Sequence, residues 1–216
     1  MAQLYKRTYD KSNFIHPTAI LGDGVEMGNN NYIGPYCVFE NTVVIGSGNR
    51  FESHVVIGSN AEKHGYFKGN GRGVNIGHNS IFREFVTVNC GTTEDTIVGN
   101  NVIMLRNSYL GHDSIIENNS VLSCNVLIGG HSYLMEGCNM ALGSICHQYS
   151  VIGAYSMCGM GCIINKSSRI EPGNIYVGNP CRFLKINKIG LERNEINFER
   201  LFYEEERYFN ISKKEI

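Results

Sequence analysis

A parallel β-helix, a solenoid of stacked three-sided coils, is the fold this sequence predicts, and two observations carry the prediction. From Val98 to Ile170 every sixth residue is large and apolar with few exceptions, running through Met104, Leu110, Ile116, Leu122, Ile128, Leu134, Met140, Cys146, Ile152, Cys158 and Ile164. Four residues after each comes a small one, among them Val102, Ser108, Ser114, Ser120, Val126, Ser132, Cys138, Ser144, Ser150, Ser156, Cys162 and Ser168. An α-helix cannot hold a six-residue repeat on one face, whereas a short strand followed by a turn, repeated around a triangular prism, can. Such hexapeptide coils bury a continuous core only when stacked.

The rhythm begins before this stretch, with Ile15, Leu21, Met27, Ile33, Phe39, Ile45, Phe51 and Ile57 in register. Residues 60–73, NAEKHGYFKGNGRG, then break it. They are rich in glycine and basic residues and read as a loop thrown out of the prism wall, on what is usually a solenoid's working face. The register resumes at Ile76, Phe82 and Val88 and slips once more near Glu94 and Asp95. Beyond Pro180 the period becomes helical, with Phe198, Leu201, Phe202, Tyr208 and Phe209 as the apolar positions between Glu and Arg. One or two helices are expected to cross the end of the prism or a neighbouring subunit, blunting the last strand edge. The expected organisation is thus a solenoid over residues 1–185, with an external loop at about 60–73, and a helical tail over 186–216.

The 216 residues fit one domain plus this appendage. A net charge of −1, with both signs interspersed, leaves no basic stripe for nucleic acid or a membrane surface. The first thirteen residues are polar and no apolar run could span a bilayer, so a cytoplasmic protein is expected. Of the eight cysteines, Cys37, Cys138, Cys162 and Cys181 hold small inward positions and Cys146 and Cys158 large ones. No CxxC pair occurs, so reduced structural thiols are expected rather than a metal or redox site.

Three hexads make one turn, so residues eighteen apart stack in columns about 4.8 Å from neighbour to neighbour. His112, Gly130 and Gln148 form one column, flanked by Asp113, His131 and Tyr149 on one side and by Gly111, Gly129 and His147 on the other. The group suits acyl transfer from a thioester. A histidine can take the proton of an attacking hydroxyl or ammonium, typically contributing about 10²- to 10⁴-fold. Asp113 can bias the tautomer and steady the imidazolium. The Gly130 amide can donate to the developing oxyanion, worth on the order of 3 kcal/mol in comparable sites, and a glycine lets a bulky thioester come close. His16, His54 and His78 read as solvated corner residues, and His64 lies in the loop.

The stretches FIHPTAILGDGVEMGNNNYIGPYCVF, REFVTV, IMLRNSYLGHDS, LIGGHS and ICHQYSVIGA resemble the UDP-N-acetylglucosamine O-acyltransferases that begin lipid A synthesis, over roughly residues 13 to 165. The resemblance implies a left-handed β-helix, the exception to the usual right-handed crossover, and a homotrimer with active sites between subunits. It implies His112 as general base, Asp113 as its partner and the Gly130 amide as the group that polarises the thioester carbonyl. Substrate contacts then fall on His131, His147 and Gln148.

The departures are as informative. The family's second histidine, three residues before the base, is Tyr109, and a nucleotide-contacting histidine falls on Asn89. The loop's acidic and lysine contacts have no clear counterpart within Lys63 to Lys68, which leaves Lys68 as the substrate-binding candidate there. In the tail Asn187 and Arg193 match nucleotide-contacting positions, while Ile189 and Asn194 replace a glutamate and an arginine. The ending EPGNIYVGNPCRFLK is similar to that of hexapeptide acetyltransferases that use coenzyme A, where Arg182 and Lys185 would meet a donor phosphate; alternatively GNP simply closes the last coil. Met160 falls on the family's chain-length ruler, a glycine in members that take long chains, and its bulk implies a short or medium acyl group.

The reading is an acyltransferase that moves an acyl group from acyl carrier protein or coenzyme A to a hydroxyl or amino group of a nucleotide-linked sugar, with no permanently bound cofactor and no metal. UDP-N-acetylglucosamine O-acylation is the best specific match, and N-acylation of an amino sugar by acyl-coenzyme A for surface polysaccharide is the alternative. A γ-type carbonic anhydrase is disfavoured because no two histidines lie five residues apart. A non-catalytic scaffold is the remaining rival.

Overall fold

The computed structural model describes residues 9–40, 42–65 and 72–213, and within them the short strands of the hexads line up as three sheets of ten, eight and seven strands, here sheets A, B and C. Successive strands visit A, B and C in turn, so each circuit is one coil of a parallel β-helix. Register follows the eighteen-residue count: Ile103 and Met104 pair with Val121 and Leu122, which pair in turn with Asn139 and Met140. Within a two-residue strand the second side chain points in and the first out. Leu110, for example, is fully buried while Tyr109 is half-buried.

The large hexad positions form one core with no break from Ile33 to Ile170. Each such side chain contributes roughly 1.5–3 kcal/mol on burial. In the lower coils the repeat is filled by phenylalanines, with Phe51 and Phe82 stacked at 4.6 Å. At the corners the chain turns through left-handed residues, and asparagine, which tolerates that conformation, supplies many of them: Asn30, Asn79, Asn101, Asn107, Asn119 and Asn125 all have φ between 55° and 61°. The eight cysteines are free and six are buried. Burial pushes the Cys138 thiol up to about 12, which makes it inert.

Two excursions leave the coil. Ile45 pairs with Ile76, 31 residues on instead of 18, and Ile76 pairs with Val98, 22 residues on. The first excursion is the basic loop; the second is the short insertion at residues 91–95.

The end of the solenoid differs from expectation. The last parallel strand of sheet A, Asn174–Val177, is covered by an antiparallel strand, Arg182–Ile186, whose five residues are all exposed. The helices α1 (Lys188–Arg193) and α2 (Phe198–Ser212) therefore do not cross the end, and α2 lies against sheet C of its own chain. Nor do the phenylalanines face inward. Phe198, Phe202 and Phe209 are exposed, while Tyr208 packs among Met135, Val151 and Tyr155, and Glu204 is wholly buried. Ion pairs set this rotation: Arg207 reaches Glu117 on sheet C and Glu204 at 2.7 Å, and Arg200 reaches Glu136 at 2.7 Å. Two carboxylates on the sheet turn the charged stripe of α2 inward, against the apolar pattern. No helix among the described residues is long and apolar enough to cross a membrane.

Candidate active site

The corner between sheets B and C gathers the histidines. The sheet B strands Tyr109–Leu110, Leu127–Ile128 and Ile145–Cys146 each deliver a glycine or histidine into the turn, and the turns stack through His131 N–H to the His112 carbonyl (2.9 Å) and Tyr149 N–H to the Gly130 carbonyl (3.0 Å). His112 is 8% exposed. Its Nδ1 donates to Asp113 Oδ2 at 2.5 Å, which leaves Nε2 as the nitrogen able to accept a proton. The His131 ring meets His112 edge-on at 5.1 Å and stacks flat on Tyr149 at 4.6 Å.

Gly130 lies directly against the imidazole. A Cβ there would come within 2.8 Å of His112 Nε2. What the missing side chain makes room for is thus first of all the His112 ring. The amides of the column His112, Gly130 and Gln148 are also left without an acceptor among the described residues. At the corner between sheets C and A the corresponding amides are capped by side chains of the next coil: Asn29 by Ser47, Ser47 by His78, His78 by Asn100, and Asn100 by Asn118. No acceptor takes the Gly130 amide among the described residues.

Asp113 is held from the opposite side. Its Oδ1 accepts the backbone N–H groups of Thr92, Thr93 and Glu94 at 2.9, 2.7 and 2.8 Å and the Thr93 hydroxyl at 3.0 Å, and its Oδ2 accepts the Thr92 hydroxyl at 2.8 Å. Burial alone would raise the carboxyl, but the hydrogen bonds from the Glu94 amide, His112, the Thr93 amide and Thr92 together outweigh it and hold Asp113 well below the usual carboxylate range. The ligand atoms of His112, Asp113 and His131 lie within 4.8 Å of one another, a spacing that could surround an ion. The carboxylate already receives six donors, however, which leaves it little capacity to ligate one.

His147 and Gln148 are exposed on the coil above, with His147 Nδ1 bonded to the Gln148 carbonyl at 2.7 Å. Lys166, the next member of the His112 column, lies beside His147 around an open hollow of about 570 Å³. Asn89 is buried; it accepts the Tyr109 hydroxyl at 2.5 Å and donates to Ser59 Oγ and the Asn60 carbonyl at the base of the basic loop. Lys68 lies outside the described residues.

The tail residues are elsewhere. Lys185, Asn187 and Arg193 line a cleft of about 760 Å³ between the outer face of sheet A and α1, together with Asn139, Met157 and Lys188. Asn187 also caps α1, accepting from Gly190 N–H and donating to the Tyr155 carbonyl. In a triangular coil this face is opposite the corner between sheets B and C. Arg182 is on the exposed antiparallel strand. Met160, 74% exposed, is at the corner between sheets A and B, across sheet B from His112.

Sequence reasoning reached the histidine column but missed Thr92, Thr93 and Thr96, because the contacts of Thr92 and Thr93 are partly backbone and all three lie 17 to 21 residues before Asp113, across an interruption of the repeat. Only the threonine hydroxyls were a readable signal.

The family model for the bacterial transferase hexapeptide (six repeats) matches residues 24–59. An acyl-[acyl-carrier-protein]–UDP-N-acetylglucosamine O-acyltransferase of Rhizobium johnstonii is 30% identical over 209 residues, covering 86% of this chain and 75% of the relative. The chain belongs to the UDP-N-acetylglucosamine O-acyltransferase family. A member from Stutzerimonas stutzeri is 29% identical, covering 88% of this chain and 78% of its own. Among solved UDP-N-acetylglucosamine acyltransferases, that of Bacteroides fragilis superposes with a TM-score of 0.71 at 28% identity over 93% of this chain and 83% of the other. The structure of LpxA from Acinetobacter baumannii gives 0.74 at 25% identity over 90% and 83%. This member of the UDP-N-acetylglucosamine O-acyltransferase family is accordingly an acyltransferase. The names of its curated relatives give an acyl carrier protein as their donor. Tyr109, three residues before His112, and Asn89 are bonded to each other.

Proposed function

We propose that this protein transfers an acyl group from acyl carrier protein to a hydroxyl of UDP-N-acetylglucosamine or a closely related nucleotide-linked sugar. The observation that carries the reading is the His112 and Asp113 pair laid over Gly130. His112 Nε2 takes the proton of the attacking hydroxyl as its oxygen adds to the thioester carbonyl. Asp113, bonded to Nδ1, stabilises the imidazolium that results. The uncapped Gly130 amide receives the negative charge on the carbonyl oxygen. The imidazolium then returns the proton as the thiolate leaves, giving an ester and a free thiol. His131, His147 and Gln148 line the approach, and Asn89 supports it from below through Tyr109.

The cleft holding Lys185, Asn187 and Arg193 supports an assembly. It opens on the face of the prism opposite His112, so one substrate can touch both only where two copies meet, as in a trimer with sites between subunits. Met160 limits the acyl chain from the corner between sheets A and B, and Arg182 with Lys185 is available to a donor phosphate. The test offers UDP-N-acetylglucosamine and amino-sugar nucleotides to the protein with acyl carrier protein and coenzyme A thioesters, read by mass spectrometry. Ester formation that disappears in His112→Ala is expected. Amide formation on an amino sugar would replace this acceptor with the N-acyl alternative, and activity surviving His112→Ala would remove His112 as base.

A further inference from the structure

Two histidines compete for one carboxylate oxygen at this site. Asp113 Oδ2 is 2.5 Å from His112 Nδ1 and 3.6 Å from His131 Nε2. Asp113 has φ of 58° at a corner, and its carboxylate stands between the two rings, with His131 about 1 Å farther from Oδ2 than His112. Its bond to the adjacent His112 does not by itself keep the carboxylate from His131. The insertion at residues 91–95 does. Three successive amides converge on Oδ1, and the Thr93 and Thr92 hydroxyls close on Oδ1 and Oδ2. Successive backbone N–H groups arranged in this way make an anion-binding concavity, and the anion here is the protein's own carboxylate.

The rest of the insertion is built to hold that shape. A Cβ on Gly91 would run into the Glu94 carbonyl oxygen, so only glycine permits the tight turn. Asp95 accepts Gly73 N–H at 2.8 Å and Asn75 Nδ2 at 2.9 Å, Arg72 Nε donates to the Thr93 carbonyl at 3.1 Å, and Asp113 N–H donates to Thr96 Oγ1 at 2.9 Å. The end of the basic loop is thereby fastened to the turn that grips Asp113.

We propose that the insertion at residues 91–95 is a carboxylate cradle, and that Thr92 and Thr93 are positioning residues that assign Asp113 to His112 instead of His131 and so fix which imidazole nitrogen carries the hydrogen. The inference rests on His112 being the base. The second excursion then selects one of two chemically equivalent partners for the carboxylate, and a wrong selection would leave His112 in the wrong tautomer.

The test is the side-chain ¹⁵N spectrum of histidine-labelled protein, read with steady-state kinetics. In the wild type His112 is expected as the Nδ1–H tautomer. Thr92→Val removes the hydroxyl that holds Oδ2 but leaves the backbone, and should mix the His112 tautomers, shift the His131 resonances and lower kcat about 10-fold with acceptor KM within about 2-fold. Thr92→Ser should restore both readouts. The double variant Thr92→Val/Thr93→Val should lose about 100-fold, at an unfolding midpoint that shows it remains folded. Unchanged ¹⁵N shifts and kcat in the double variant would overturn the cradle. The spectrum reports on the cradle whatever the acceptor proves to be. Full activity in His112→Ala would instead sink the base assignment, so the two failures are distinguishable.

Discussion

Replacing Gly130 with alanine separates the two duties assigned to that position. Alanine keeps the backbone N–H, so the oxyanion donor survives, and Gly130 does not have the positive φ that would strain a side chain. What changes is space. The new methyl would stand 2.8 Å from His112 Nε2, 2.9 Å from Cε1 and 3.1 Å from Cδ2. Ordinary carbon contacts lie at about 3.5–4.0 Å, so the ring must retreat by roughly 0.8 Å. It is the mobile end of a side chain, so the fold survives, but the ring moves against its bond to Asp113. A base displaced by about 1 Å typically loses about 100-fold in rate, equivalent to about 2.7 kcal/mol of barrier. Gly130→Ala should therefore lower kcat about 100-fold while its thermal midpoint stays close to wild type. Adding it to His112→Ala should cause little further loss, because no ring remains to displace. The assay is initial rate of ester formation for the four proteins of the cycle. A Gly130→Ala enzyme with more than half the wild-type kcat, or one whose loss adds in full to that of His112→Ala, would refute the placement of the ring.

Other outcomes follow from the same geometry. Mixed assemblies refolded from equal amounts of His112→Ala and Arg193→Ala chains should regain about a quarter of wild-type activity, because random trimers rebuild that share of sites from one intact half of each; no recovery would mean that a single chain supplies both halves. Asp113 is held below its ordinary value, so its stabilisation is complete above the unfolded carboxyl value of about 3.9 and is lost as pH falls further. Asp113→Asn should thus flatten the dependence of urea stability on pH between about 5 and 2. Removing both cations that hold the buried Glu204, as Arg200→Ala/Arg207→Ala, strands its carboxylate and should cost about 3 kcal/mol in denaturant unfolding, with much of it recovered by adding Glu204→Gln. Met160→Gly should shift the preferred acyl chain upward in a competition between donors of different length, and an unchanged profile would remove the ruler.

The solenoid was legible because its signal is carried by side chains: Val98 to Ile170 announce the core at every sixth residue, and the eighteen-residue count placed His112 beside Gly130 without a structure. The parts that escaped are those decided by backbone groups or by charge. The grip on Asp113 is made largely of amides, which any residue type supplies, so GTTED reads as a mere interruption. The rotation of α2 is not legible in its own residues: Phe198 and Phe209 stay exposed, while Glu136 and Glu117, far earlier in the chain, hold Arg200 and Arg207. The strand Arg182–Ile186 escaped because RFLKI, exposed along its whole length, has no inward and outward alternation to read.

A solenoid has a translational symmetry that a globular domain lacks. Coil for coil, one stretch of its wall is interchangeable with the next, and a histidine at a corner would meet the same surroundings at any height. The few extra residues at 91–95 abolish that equivalence at a single level, giving the rod an address. A reactive pair can then arise on one rung only, and moving the chemistry along the rod would require moving the insertion, not the histidine.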